Sequence, residues 1–171
     1  AGAGGLSISL LPVGPDEWAV RWSGQRAGLA QSDSSDQHWL HPPVSPRRSA
    51  LRVWQKARFP NRGLVVVWNV GLGYTLEALA PFLSDREVET RVIVCEEQLD
   101  LVWESLNIRD WVPLLIDARI YVLFGPDSDE QLVALLDRHR SLLLEGCLLA
   151  TGRDLLPSER DRLSRLEERI R

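Results

Sequence analysis

Several features are scarce or missing in this chain, and each absence excludes something. No apolar run approaches the roughly 18 residues needed to span a bilayer, so no membrane partner is expected. Lysine and arginine never cluster, and the formal net charge is −4. A nucleic-acid partner is therefore disfavoured, because phosphate binding needs a concentrated positive surface. Only two cysteines occur, Cys95 and Cys147, in apolar surroundings and without CxxC spacing. They read as buried thiols of a cytosolic (cytoplasmic) protein, not as a disulfide or metal pair. Three histidines without a partner cluster do not make a zinc site. Methionine is absent, and the opening Ala-Gly-Ala-Gly-Gly lacks the basic region and cleavage pattern of a signal peptide. That opening reads as a flexible leader or a tag remnant. No nucleophile–base pair, paired carboxylate or HExxH motif is present, so no catalytic residue is assigned. Glu96 and Glu97 are adjacent, and neighbours on a strand face opposite ways.

What remains is an ordinary globular composition: 171 residues, 44% hydrophobic and 26% charged. That is enough for one domain with an N-terminal extension. Its centre is the stretch from Gly63 to Asp100. Leu64–Val70 is nearly unbroken apolar and β-branched, as in a strand buried on both faces of a parallel sheet. It runs into Gly71-Leu72-Gly73. Thr75–Leu83 then places Leu76, Leu79, Ala80 and Leu83 on one side of a helix. A second strand, Arg91–Cys95, ends on Glu96-Glu97. Strand, glycine turn, helix, strand and acidic tip form the first βαβ unit of a Rossmann-like sheet.

Upstream, Leu6–Val13 and Glu17–Trp22 flank Gly14-Pro15-Asp16 and predict a hairpin. Gly24–Gln37 reads as loop, His38–Val44 as a short extended piece. Ser45 is expected to cap a helix with Pro46 at its first position, buried through Ala50, Leu51, Val53, Trp54 and Ala57. Downstream, Leu101–Ile108 continues a helix, and Asp110–Ile116 is a short irregular element. Ala118–Phe124 is a third strand. Ser128 or Asp129 is expected to cap the next helix, whose stripe is Leu132, Leu135, Leu136, His139 and Leu143. His139 reads as a satisfied core or boundary residue. Gly146–Thr151 offers a fourth strand, and a last helix opens at Pro157. The expected fold is α/β, a Rossmann-like three-layer sandwich with a short, mainly parallel sheet. Residues 1–44 form leader, hairpin and loop; residues 45–171 form the α/β domain.

The candidate ligand-binding residues follow from this topology. Gly71 and Gly73 let a ligand approach backbone, and the helix behind them offers free N–H groups. Tyr74 could stack on a ligand or plug the crevice. Glu96, at the second strand tip, lies where such folds hold ribose hydroxyls. Gly125 and Asp127, at the third tip, border the adenine side. The fingerprint is incomplete: GxGxxG needs glycine where Leu76 stands, and GxGxG needs it where Thr75 stands. Asn69 replaces the acidic residue usual before a methyltransferase glycine turn. A plainer alternative is that two glycines make a tight turn and nothing binds.

NVGLGYTLEAL, VIVCEEQLDLVWESL and RIYVLFGPD together resemble the N-terminal Rossmann-like domain of the motility accessory factor family of flagellin glycosyltransferases. HPPVSPRRSA is similar to a segment of that family, with His41, Pro46 and Ala50 at its spacing. Pro42 and Ser49 stand where the family has Ser and Glu. The resemblance implies transfer of nonulosonic acids onto flagellin by a following catalytic domain, for which this chain has no room. It thus implies an accessory domain, non-catalytic alone, that binds a nucleotide-type ligand or docks the acceptor. The same segments are similar to S-adenosylmethionine-dependent methyltransferases, which would make S-adenosylmethionine the cofactor. A third possibility is a protein-interaction module using Trp18, Trp22 and Trp39, although packing of the hairpin on the sheet is the blander account.

Overall fold

The computed structural model describes residues 7–14, 17–23, 37–41, 44–57, 59–84, 89–155 and 157–171. The leader, the hairpin tip and the predicted 24–37 loop, save its last residue, lie outside them, as do the side chains of Trp22 and His38. Two sheets are present. The first is antiparallel: β1 (Ser7–Gly14) pairs with β2 (Glu17–Ser23), and β2 pairs with β3 (Gln37–Trp39). The predicted hairpin therefore gains a third strand from the extended piece around residue 38.

The second sheet is fully parallel and lies between two helical layers. Its strands are β4 (Arg62–Trp68), β5 (Glu89–Glu96), β6 (Ile120–Phe124) and β7 (Cys147–Thr151). Their order is β6-β5-β4-β7. The architecture is thus the Rossmann-like three-layer α/β sandwich expected, with an N-terminal hairpin. Strand alternation explains the layers. Val65, Val67, Val92 and Val94 face one core, together with Ala50 and Trp54 of α1 (Pro46–Lys56) and Leu76 and Leu79 of α2 (Tyr74–Leu83). Leu101 of α3 (Leu99–Ile108) joins them, and Leu114 of the one-turn α4 (Val112–Leu115) packs alongside. Leu64, Val66, Trp68 and Ile93 face the opposite core, against Leu132 and Leu136 of α5 (Ser128–Arg138). Leu142 of α6 (Arg140–Glu145) and Leu166 of α7 (Pro157–Ile170) complete that side. Val20 and Leu40 of the hairpin region belong to the first core, so the antiparallel sheet is packed on the domain.

Three local expectations are corrected. Ser45 occupies the N-cap of α1, but its backbone is left-handed (φ 51°) and its hydroxyl makes no capping bond. A capping hydroxyl reaches the first-turn N–H groups from an extended backbone, which Ser45 does not have. The N-cap of α5 is Asp127, one residue before the predicted pair, and its carbonyl accepts from Gln131 N–H at 3.0 Å. The stripe that was to run through His139 is broken there. α5 ends at Arg138 and α6 restarts at Arg140, leaving His139 half-buried against Tyr121 with its Nε2 atom unpartnered. Among the described residues no helix is long and apolar enough to cross a membrane.

Candidate functional site

The chain moves outward from β4 to β5 to β6, then returns to the other side of β4 as β7. This reversal makes a switch point between β4 and β7. Ligands of open α/β sheets bind outside the carboxyl ends of the strands at such a point. Here those ends carry the glycine turn after β4, Glu96 on β5 and Arg153 beyond β7.

The glycine turn is built as such sites require. Gly71 and Gly73 are left-handed, at φ 58° and 77°, and Glu77 N–H closes the first helical bond onto Gly73 C=O at 2.8 Å. Yet the space beside both glycines is occupied by the chain itself. A Cβ on Gly71 would lie 2.5 Å from Nε2 of His41 and 3.0 Å from Cβ of Arg153. A Cβ on Gly73 would lie 2.5 Å from the ring of Trp111. These glycines are needed for protein packing as much as for any ligand.

Glu96 is fully buried, and its carboxylate is held from three directions. Gly71 N–H donates to one oxygen at 2.9 Å and Gln98 N–H to the other at 3.1 Å. The guanidinium of Arg153 donates to both, at 3.3 Å each. On its other side Arg153 makes a fork with buried Glu159, at 2.9 and 2.7 Å. Burial opposes the charge on Arg153, but the two glutamates more than offset it and hold the guanidinium protonated. His41 completes the cluster. Its Nε2 atom accepts Leu72 N–H at 2.9 Å, and burial, followed by Arg153 and Arg109, lowers its pKa to about 3. The ring is therefore a neutral acceptor.

The predicted residues separate into two groups. Gly71, Gly73 and Glu96 are brought together, and Gly125 joins them through its N–H on Glu96 C=O at 2.9 Å. Tyr74 instead reaches the hairpin: its hydroxyl donates to Trp18 C=O at 2.8 Å and accepts Trp18 N–H. Arg109 stacks on the Tyr74 ring, 3.8 Å from its centroid. Asp127 is exposed at the start of α5. Glu97, as expected, points elsewhere than Glu96 and pairs with Arg162. Arg153 and Glu159 were missed by sequence reasoning. The available signal was position: Arg153 follows directly from a strand that ends at the switch point.

The open space is small. A cleft of about 140 Å³ lies beside the cluster, lined by His41, Ser49, Thr75, Thr151, Arg153 and Asp154. Cofactor pockets usually measure about 300–1,000 Å³. A larger hollow, about 360 Å³, lies between α5 and α7 over Trp68, Leu132 and Leu166. Arg162, Arg165 and Arg169 also line it; Arg162 is bound to Asp129 and Glu97, and Arg169 to Asp137. Among the described residues no group of three His, Cys, Asp or Glu side chains is gathered to hold a metal. No protein-family model matches the chain, and no curated protein or solved structure is similar enough to count as a match.

Proposed function

We propose that this chain is a Rossmann-like accessory domain whose switch-point crevice is filled by its own side chains. It serves as a docking or positioning module of a protein-glycosylation enzyme of the motility accessory factor kind, and is non-catalytic alone. The observation that carries the non-catalytic reading is the buried Glu96–Arg153–Glu159 triad. The carboxylate that would take ribose hydroxyls already accepts two backbone N–H groups and a guanidinium. An incoming nucleotide would have to displace a buried ion pair, and separating such a pair costs about 3–5 kcal/mol. The glycosylation context rests on the resemblance of the glycine-turn, acidic-tip and third-strand segments, and with it the flagellin acceptor and a following catalytic domain.

A second reading, an S-adenosylmethionine-dependent methyltransferase-like domain, is favoured by Glu96 sitting within hydrogen-bonding distance of the Gly71 turn. It requires Arg153 to leave. Calorimetric titration of the chain and of Glu96→Ala with S-adenosylmethionine, NAD and a nucleotide-activated nonulosonic acid separates the two. The accessory-domain reading expects no saturable heat from any of them. Binding of S-adenosylmethionine in the micromolar range, about that of ordinary substrates, and lost in Glu96→Ala, would transfer the assignment to the second reading. The glycosylation context fails independently if the parent gene encodes no further domain.

A further inference from the structure

Among the described residues, exposed large apolar side chains are unevenly distributed. Most of these fall between residues 99 and 122, on α3, on α4 and its end, and on β6. Trp103 is 66% exposed, Val112 62% and Ile116 77%. At 100° per residue, Leu99, Trp103 and Leu106 form one outer stripe of α3, while Leu101, Val102 and Ser105 face inward. The stripe is continuous with the sheet edge, since the Leu99 side chain lies next to Gly125 at the end of β6. α4 packs on the same strand, where Trp111 meets Phe124 at 5.9 Å between ring centroids. β6 itself is an edge strand of the parallel sheet, and Val122 on it is exposed. It carries no proline or charge of the kind that guards exposed edges. Together these residues expose apolar surface on the order of a few hundred Å², the scale of the largest patch on a typical monomer, which is often functional.

The charges around this face decide what fits it. Asp100 and Glu104 flank one side of the stripe, and Asp110 and Asp127 stand exposed at its ends. The two arginines of the region do not neutralise them: Arg109 is bound to Glu77 and Arg119 to Asp117. The geometry points to a docking surface for a protein segment that presents an apolar stripe flanked by Lys or Arg. A second copy of the chain is opposed, because the same acidic rim would meet itself. This inference rests on the docking role proposed above, but the two fail separately: cofactor titration addresses the Glu96 crevice, peptide binding this face.

The test uses a labelled amphipathic Leu/Lys peptide of about eighteen residues, long enough to hold a helix, and its Leu/Glu counterpart, followed by fluorescence anisotropy. The Leu/Lys peptide is expected to bind at least about tenfold tighter than the Leu/Glu peptide. Trp103→Ser with Ile116→Ser, and separately Leu99→Ser, should weaken it about tenfold with thermal unfolding unchanged, since these side chains face solvent. Asp100→Asn with Glu104→Gln should weaken it less and flatten its salt dependence. Equal binding of both peptides, or full affinity in both serine variants, overturns the proposal. Self-association of the chain that the Trp103→Ser/Ile116→Ser variant abolishes also overturns it, in favour of a second copy.

Discussion

Arg153 stands between two carboxylates, and the side chains of all three groups are buried. Removing it takes the guanidinium from buried Glu96 and one partner from Glu159, in a medium where an uncompensated charge is costly. Arg153→Met is therefore expected to lower unfolding free energy by about 3–5 kcal/mol, read from urea midpoints at neutral pH. A loss below about 1 kcal/mol, the worth of an exposed pair, would mean that water reaches the triad. His41 gives a second test. Burial opposes its protonation in the folded chain, whereas the unfolded chain takes the proton at the ordinary value of 6.5. Its contribution is complete above that pH and is lost as pH falls from about 6.5 towards about 3. His41→Gln keeps an acceptor for Leu72 N–H and removes the titration. Wild type and variant should have similar stability near neutrality, and wild type should fall progressively below the variant as pH drops from about 6.5 towards about 3 in pH-dependent urea unfolding.

At the level of elements, Tyr74 joins the hairpin to the α/β domain alongside the core packing of Val20 and Leu40. The Tyr74 hydroxyl bonds both backbone groups of Trp18, and its ring is wedged between Arg109 and His41. Tyr74→Phe leaves that backbone pair unpartnered while keeping the ring. The expected cost is about 1–3 kcal/mol, concentrated in the antiparallel sheet. Hydrogen exchange should show faster exchange at Trp18 and Val20 with β4 and β5 unchanged; uniform acceleration would mean that the hairpin and the sheet unfold as one unit. The elements were largely legible in the sequence, since an apolar β-branched run into Gly-x-Gly has few local alternatives. Their ends were less so. The compact Gly125-Pro126 turn starts α5 at Asp127, and a left-handed Ser45 removes the cap that Ser-Pro suggested. Trp39 of the proposed aromatic surface is partly exposed, whereas Trp18 packs against the core.

For the molecule as a whole, the two thiols report on how far the fold opens. Cys95 is buried in the central strand β5, and burial raises its pKa; Cys147, half-buried on the edge strand β7, is pushed up to about 11. The thiolate is the reactive form, so neither should react quickly with a disulfide reagent at about pH 8. Both should react at once in denaturing urea. Rapid labelling of Cys147 alone under native conditions would show that β7, and with it Arg153, leaves the sheet locally. That outcome would also give the crevice a route to open.

By itself the sequence determined the βαβ core, because strand and helix periodicities are local and the glycine turn between them is written in adjacent residues. It also brought Gly71, Gly73 and Glu96 to one sheet edge, since parallel strands joined by a helix must end on the same side. What it could not determine was the state of that edge. Arg153 lies 57 residues from Glu96, and His41 lies 31 residues from Leu72. They meet only because β7 inserts beside β4 and the chain before α1 folds over the glycine turn. Strand order and loop closure are decided by the packing of the whole chain, and so is the filling of the crevice.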